Sequence, residues 1–249
     1  MENKPLLLEE LTWHDFKQAV ESGVRTALLP LGSTEEHGFH LPLLTDTIIA
    51  YEVAVRAARQ VRVFVAPPLP YGVCRTTAFF PGTLTISMET LQKLVEEICL
   101  SLHRHGVRNI VLVPGHLGAA QLVGLELTAQ KLVRKNPDLR MAIVRVLEVL
   151  REQVGGLLED PSDLHAGEME TSLMLVLRPS LVKAELARAE HPKLPRHLVV
   201  LNPARYMETG VMGDATKASR EKGEAILKAL VSGVVEAVRM VEAEGSRKA

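Results

Sequence analysis

The chain has 249 residues, 47% of them hydrophobic and 24% charged, enough for one large α/β domain or two small ones with a substantial core. Its 29 basic and 30 acidic side chains leave a formal net charge of -1, which gives no electrostatic ground for a nucleic-acid or anionic-membrane partner. Cys74 and Cys99, the two cysteines, form neither a disulfide framework nor a CxxC pair; they fit a reducing compartment, as packing residues rather than metal ligands.

The N-terminal MENKPLLLEELTW has a short apolar run followed at once by acids, unlike a signal peptide, and no stretch reaches the roughly 18 apolar residues of a membrane span. A cytoplasmic location is therefore expected. Residues 26–31 (TALLPL) read as a buried strand, followed by a polar loop at 32–45 and a helix at 46–59. A second strand is expected at 61–66 (VRVFVA). In 87–105 the apolar positions Met88, Leu91, Leu94, Val95, Ile98, Cys99 and Leu102 fall on one helical face, and Gly106 stops the helix. Strand 109–113 (NIVLV), a glycine-flanked loop at 115–118 and a helix at 117–133 come next, then a strand at 141–147 (MAIVRVL). The last helix, about 216–242, carries its apolar face at Ile226, Leu227, Leu230, Val234 and Val238, and the terminal GSRKA is expected to fray. No repeat or low-complexity linker interrupts the chain, so residues 1–249 are expected to form a single domain.

Strands alternating with helices imply a mostly parallel sheet with helices on both faces. Functional loops in such sheets lie beyond the carboxyl ends of the strands, and here loops 32–45 and 115–118 hold that place. The first, within GSTEEHGFHLPLLTDT, contains Glu35, Glu36, His37, His40 and Asp46. Carboxylates and imidazoles bind zinc, manganese or iron, and in extended backbone Glu35 and His37 point the same way. Asp46 also suits a plain helix N-cap. The second loop places His116 between Gly115 and Gly118, as a ligand or as a hydrogen-bonded structural histidine; a phosphate cradle there lacks the full motif. The third element, DLHAGEMETSLML, sets His165, Glu168 and Glu170 around a helix start. His165 and Glu168 share a side if both are helical, while an acidic first turn complementing the helix dipole explains the glutamates alone.

The segment LPLGSTEEHGFHLPLLTDT resembles the signature of the creatininase (creatinine amidohydrolase) family, and HAGEMETS at 165–172 matches its second signature. FPGT at 80–83 and GVMGDATKASREKGEAIL at 210–227 are similar to further family segments, so the resemblance covers nearly the whole chain. It implies a three-layer α/β/α sandwich assembled as a homohexamer, with two divalent ions (zinc, manganese or iron) at the carboxyl ends of the strands. Glu35, His37 and Asp46 then match ligands, with Asp46 bridging the ions, and His116 matches the histidine of the family's Asn-Gly-His motif. Some members place a glutamate two residues later, where this chain has Gly118; others draw it from the HAGE segment, which offers Glu168. His165 matches an acid–base histidine, and Glu170 a glutamate that supports the ligands or takes part in catalysis.

The chain departs from the family pattern at Pro114 and Ala119, where asparagines are usual, and at Glu36, where glutamine is usual. Trp13 is its only tryptophan, whereas creatinine-specific enzymes cover their substrate with tryptophans, so creatinine is not the expected substrate. The implied activity is hydrolysis of a small amide, cyclic amide or formamide by a water activated between the ions, with His165 protonating the leaving nitrogen. Ser33 and Cys74 have no evident paired base, which sets covalent catalysis aside. A metal-dependent esterase or phosphatase, and a metal-binding regulator with a decayed site, are the alternatives.

Overall fold

Apolar runs without polar alternation must be covered on both faces, which places them inside a parallel sheet. In a computed structural model, which describes residues 4–246, the two longest strands are such runs. Strands β1 (Leu6–Leu7), β2 (Thr26–Leu31), β3 (Phe64–Val65), β4 (Asn109–Pro114) and β5 (Arg140–Ile143) form one parallel sheet in the order β1-β3-β2-β4-β5. β2 and β4 are buried throughout and pair from Thr26↔Asn109 to Leu31↔Pro114. The expected strand 61–66 contracts to β3. The apolar run 141–147 divides, because Val146 and Leu150 bury the inner face of a helix.

Seven helices are described: α1 (Trp13–Glu21), α2 (Thr45–Ala58), α3 (Met88–Arg104), α4 (Ala119–Lys135), α5 (Val146–Val154), α6 (Glu168–Leu177) and α7 (Arg220–Ser246). Thr12 and Asp15 cap α1 reciprocally, and Ser87 caps α3 by accepting from the Thr90 N–H. Gly106, at φ 99°, ends the α3 turn as expected. Of the expected frayed tail, Gly245 and Ser246 lie in the last turn of α7, and residues 247–249 lie outside the described residues.

Alternate strand residues reach opposite faces, giving two cores. Leu28, Val111 and Val113 pack with Ala54 of α2, Leu150 of α5, Leu173 of α6 and Ile226, Leu230, Val234 and Val238 of α7. Ala27, Leu29, Leu31, Ile110 and Leu112 pack with Ala19 of α1, Leu91 and Val95 of α3, and Leu125 and Leu132 of α4. The architecture is thus a three-layer α/β/α sandwich, with a small antiparallel pair, β6 (Ala189–Glu190) and β7 (Gly213–Asp214), beside it. No described helix is long and apolar enough to cross a membrane.

From β2 the chain crosses to β3 on one side, and from β3 it returns to β4 on the other. Such a switch of direction opens a crevice beyond the carboxyl ends of the two central strands. The loops leaving β2 and β4 both open into it.

Candidate metal centre

β2 ends at Leu31, and the chain turns at once against α2: the Thr47 hydroxyl donates to the Ser33 carbonyl at 2.8 Å. This folds residues 32–44 over the strand end and puts Asp46 in the first turn of α2. Asp46 is not the N-cap. Its Oδ1 lies 3.0 Å from His37 Nε2, and its Oδ2 lies 3.0 Å from His116 Nδ1 and accepts from the Ser33 hydroxyl at 2.7 Å.

The end of β4 approaches because Gly115 has no side chain. A Cβ there would stand 2.0 Å from the Asp46 carbonyl oxygen. The Gly115 N–H donates to the Leu31 carbonyl at 2.7 Å, closing the β2–β4 pair one residue past Pro114. His116 therefore arrives beside Asp46, with Nδ1 2.8 Å from Glu35 Oε2.

Hydrogen bonds orient the rings. His37 Nδ1 lies 3.0 Å from the Glu35 carbonyl, so it donates there and leaves Nε2 facing Asp46 and, at 3.6 Å, Glu170 Oε2. His116 Nε2 donates to the Val73 carbonyl at 3.3 Å, leaving Nδ1 toward the carboxylates. His165 Nε2 donates to the Glu36 carbonyl at 2.9 Å, with Glu36 Oε1 3.2 Å away, leaving Nδ1 free. Fixing one ring nitrogen by a carbonyl is the usual means of presenting the other to a cation.

His165 does not sit on a helix, so its spacing from Glu168 has no helical meaning. It forms a bridge with Met212, and the next residue, Ala166, takes a left-handed φ of 51°. That turn is held by Glu170 Oε2, which accepts the Ala166 N–H at 2.6 Å. Asp163 caps the start of α6 by accepting the Glu168 and Met169 N–H groups at 3.1 and 2.8 Å. Burial pushes the Asp163 carboxyl up to about 7.

The turn also decides which glutamate enters the crevice. Glu168, expected as a ligand, is engaged outside the two donor groups. Its Oε2 accepts the Glu159 and Asp160 N–H groups at 2.9 and 3.0 Å, and its Oε1 pairs with Lys222. Glu170, one turn-half further, stands with His37 and His165.

Two donor groups result. Glu35, Cys74 and His116 form one, and His37, His165 and Glu170 the other; the ligand atoms within each lie within 4.8 Å of one another. Asp46 touches both. Cys74, expected to be a packing residue, is thus in the site, while Cys99 lies in the core between α3 and the sheet. His40 is outside the cluster. Its Nε2 lies 2.8 Å from the Thr171 hydroxyl, and burial with His37 nearby brings it down to about 4.

Residues not anticipated from the sequence complete the setting. The Ser33 hydroxyl shares its one proton between Asp46 Oδ2 and Glu35 Oε2, the latter at 3.1 Å, and the Thr77 hydroxyl donates to Glu35 Oε1. Ser33 sits in the motif loop, where the sequence weighs it only as a nucleophile; Thr77 and Cys74 come from an irregular segment with no distinguishing pattern.

Glu35, Asp46 and Glu170 are all buried, and no lysine or arginine is paired with them among the described residues. Protein groups alone balance this charge by protonation. Burial opposes the charged forms, yet Asp46 and Glu170 raise His37 to about 10, and the same kind of pairing raises His116 well above its usual range. Against burial, His116 holds Glu35 at about 2, and His37 with His116 hold Asp46 well below the carboxylate range. Burial raises Glu170. Three buried carboxylates facing oriented imidazole nitrogens are a donor set that fits divalent cations, which replace the protons as counter-charge.

The centre opens into a cavity of about 570 Å³, lined by Glu35, Asp46, His116, His165 and Glu170, with Arg75 its one lysine or arginine among the described residues. A larger apolar groove, about 930 Å³, runs between α1 and α3 beside Trp13 and holds none of these donors.

The chain is similar to known proteins over nearly its whole length. The family model for creatininase (creatinine amidohydrolase) matches residues 9–238. The creatinine amidohydrolase of Pseudomonas putida is 31% identical, over 95% of this chain and 97% of that protein. A mycofactocin precursor peptide peptidase of Mycolicibacterium smegmatis is 32% identical, over 88% and 87%. The solved structure "Creatininase Mn" superposes with a TM-score of 0.81 at 31% identity, covering 95% of this chain and 98% of that one. On the matched family model, the fold and the sequence identity together, the chain belongs to the creatininase family of hydrolases.

Proposed function

We propose that the chain hydrolyses the C–N bond of a small amide, cyclic amide or formamide, using two divalent ions held by Glu35, His37, Asp46, His116 and Glu170. The observation that carries this is the pair of donor groups sharing Asp46 beside one cavity. When bound, such an ion pair supplies Lewis acidity toward a carbonyl and lowers the pKa of water.

The chain's own residues supply the rest. Asp46, with Oδ1 toward His37 and Oδ2 toward His116, would be shared by the two donor groups. Ser33 and Thr77 hold the Glu35 carboxylate in place. His165 is buried at the cavity wall with Nε2 tied to the Glu36 carbonyl, and a proton on its Nδ1 would go to the departing nitrogen, which leaves poorly unless protonated. Burial and His37 oppose a charged ring there, but Glu36 with Glu35 and Glu170 outweigh them and raise it above the ordinary imidazole value.

The relatives named above act on creatinine and on a precursor peptide, so amide hydrolysis is the shared chemistry while the substrate differs. Trp13, the only tryptophan, lines the distant groove rather than the cavity, which argues against a tryptophan-covered creatinine. One arginine in the cavity suits a neutral or singly charged substrate better than a phosphoester.

The test is turnover by zinc- or manganese-loaded protein on a panel of amides, lactams, formamides and phosphoesters. Amide turnover is expected, and His165→Ala should keep both ions while kcat falls about 10²–10⁴-fold. Turnover of phosphoesters alone, or loss of the ions in His165→Ala, contradicts the reading.

A further inference from the structure

We propose that the Cys74 thiolate is a direct ligand of the ion held by Glu35, Asp46 and His116, making that position a mixed oxygen, nitrogen and sulfur site that prefers zinc or cobalt(II) to manganese. The proposal rests on the two-ion reading above and concerns only one of its positions.

Cys74 is fully buried, and its sulfur lies with a Glu35 oxygen and a His116 nitrogen inside a 4.8 Å group. Asp46 Oδ2 lies 3.0 Å from His116 Nδ1, beside that group. Oxygen, nitrogen and sulfur donors around one point are a mixture that zinc accepts, and zinc can expand to five-coordinate when a water binds.

The cysteine is positioned, not merely nearby. The Cys74 N–H donates to the Thr85 hydroxyl at 3.0 Å, and the Val73 N–H donates to Gln121 Oε1 at 2.9 Å. The Val73 carbonyl is the group that accepts from His116 Nε2. One short stretch thus orients the imidazole and delivers the sulfur to the same point.

Charge supports the assignment. Glu35, Asp46 and Glu170 bring three negative charges to a pair of divalent ions, and a thiolate supplies the fourth. A coordinating thiol gives up its proton, which passes to solvent as the sulfur–metal bond forms. Thiolate is a soft donor, favouring zinc or cobalt(II), whereas an all-oxygen and imidazole site accepts manganese readily.

The experiment is X-ray absorption on the intact zinc-loaded protein, with optical spectra of the cobalt(II)-loaded protein. A sulfur shell at about 2.3 Å is expected, together with a near-ultraviolet sulfur-to-cobalt charge-transfer band. Cys74→Ser should lose both signals, Cys99→Ser should keep them, and zinc affinity relative to manganese should fall at least about 10-fold in Cys74→Ser. Two bound ions with neither signal in the wild-type protein would overturn the proposal, leaving Cys74 a packed thiol that donates to Glu35, and would leave the hydrolase reading intact. Absence of any bound ion would overturn both. The wild-type spectra decide the matter even if Cys74→Ser fails to fold.

Discussion

Asp46 Oδ2 lies 3.0 Å from His116 Nδ1, although the two residues are 70 positions apart in the chain. The contact joins the first turn of α2 to the loop after β4, and the other Asp46 oxygen reaches His37. One carboxylate therefore ties together the two donor groups and the two central strand ends.

Glu168 and Glu170 should separate cleanly on substitution. Glu170→Gln is expected to lose one of the two ions. Glu168→Gln should keep both, because that side chain serves Lys222 and the turn at Glu159 and Asp160. Its cost should appear as about 1–3 kcal/mol of stability in urea denaturation. The opposite pattern would restore Glu168 as the ligand.

This pair also marks how far the sequence could be read. β2 and β4 were legible because continuous apolar runs have few places to go, and the loops leaving them, with Glu35, His37 and His116, could be located from those runs, while Asp46 stands in the first turn of the helix that follows. Choosing between Glu168 and Glu170 depends on the left-handed Ala166, which no periodicity signals. Helix α5 was hidden because its first apolar residues continue the apolar run of β5. Cys74 and Thr77 reach the site through the irregular stretch between β3 and α3, where side-chain direction follows from tertiary hydrogen bonds rather than local pattern.

Gly115→Ala should damage the centre without touching a donor. The added Cβ would meet the Asp46 carbonyl oxygen at 2.0 Å, so α2 and the β4 loop must part. A loss of about 1–3 kcal/mol is expected, with weaker metal binding measured in the same preparation. Unchanged metal affinity would show that the close approach is not what sets the site.

Asp160 gives a pH dependence of stability. Burial opposes its ionisation, but the Ser162 hydroxyl and N–H together with His191 hold it at about 2, below its ordinary 3.8. A depressed carboxyl binds fewer protons folded than unfolded, so its stabilisation is complete above the ordinary value and is lost as pH falls through about 2. Asp160→Asn should therefore be less stable than wild type at about pH 6, with the gap closing in acid. Urea midpoints of metal-free protein across that range check this; a gap constant with pH would contradict it.

The most direct measurement is the ion content per chain of wild-type and Asp46→Ala protein after zinc loading and desalting. Two ions in the wild type and none retained by Asp46→Ala are expected, since that side chain serves both donor groups. An Asp46→Ala protein that keeps two ions, or a wild type that holds one at most, would contradict the shared centre.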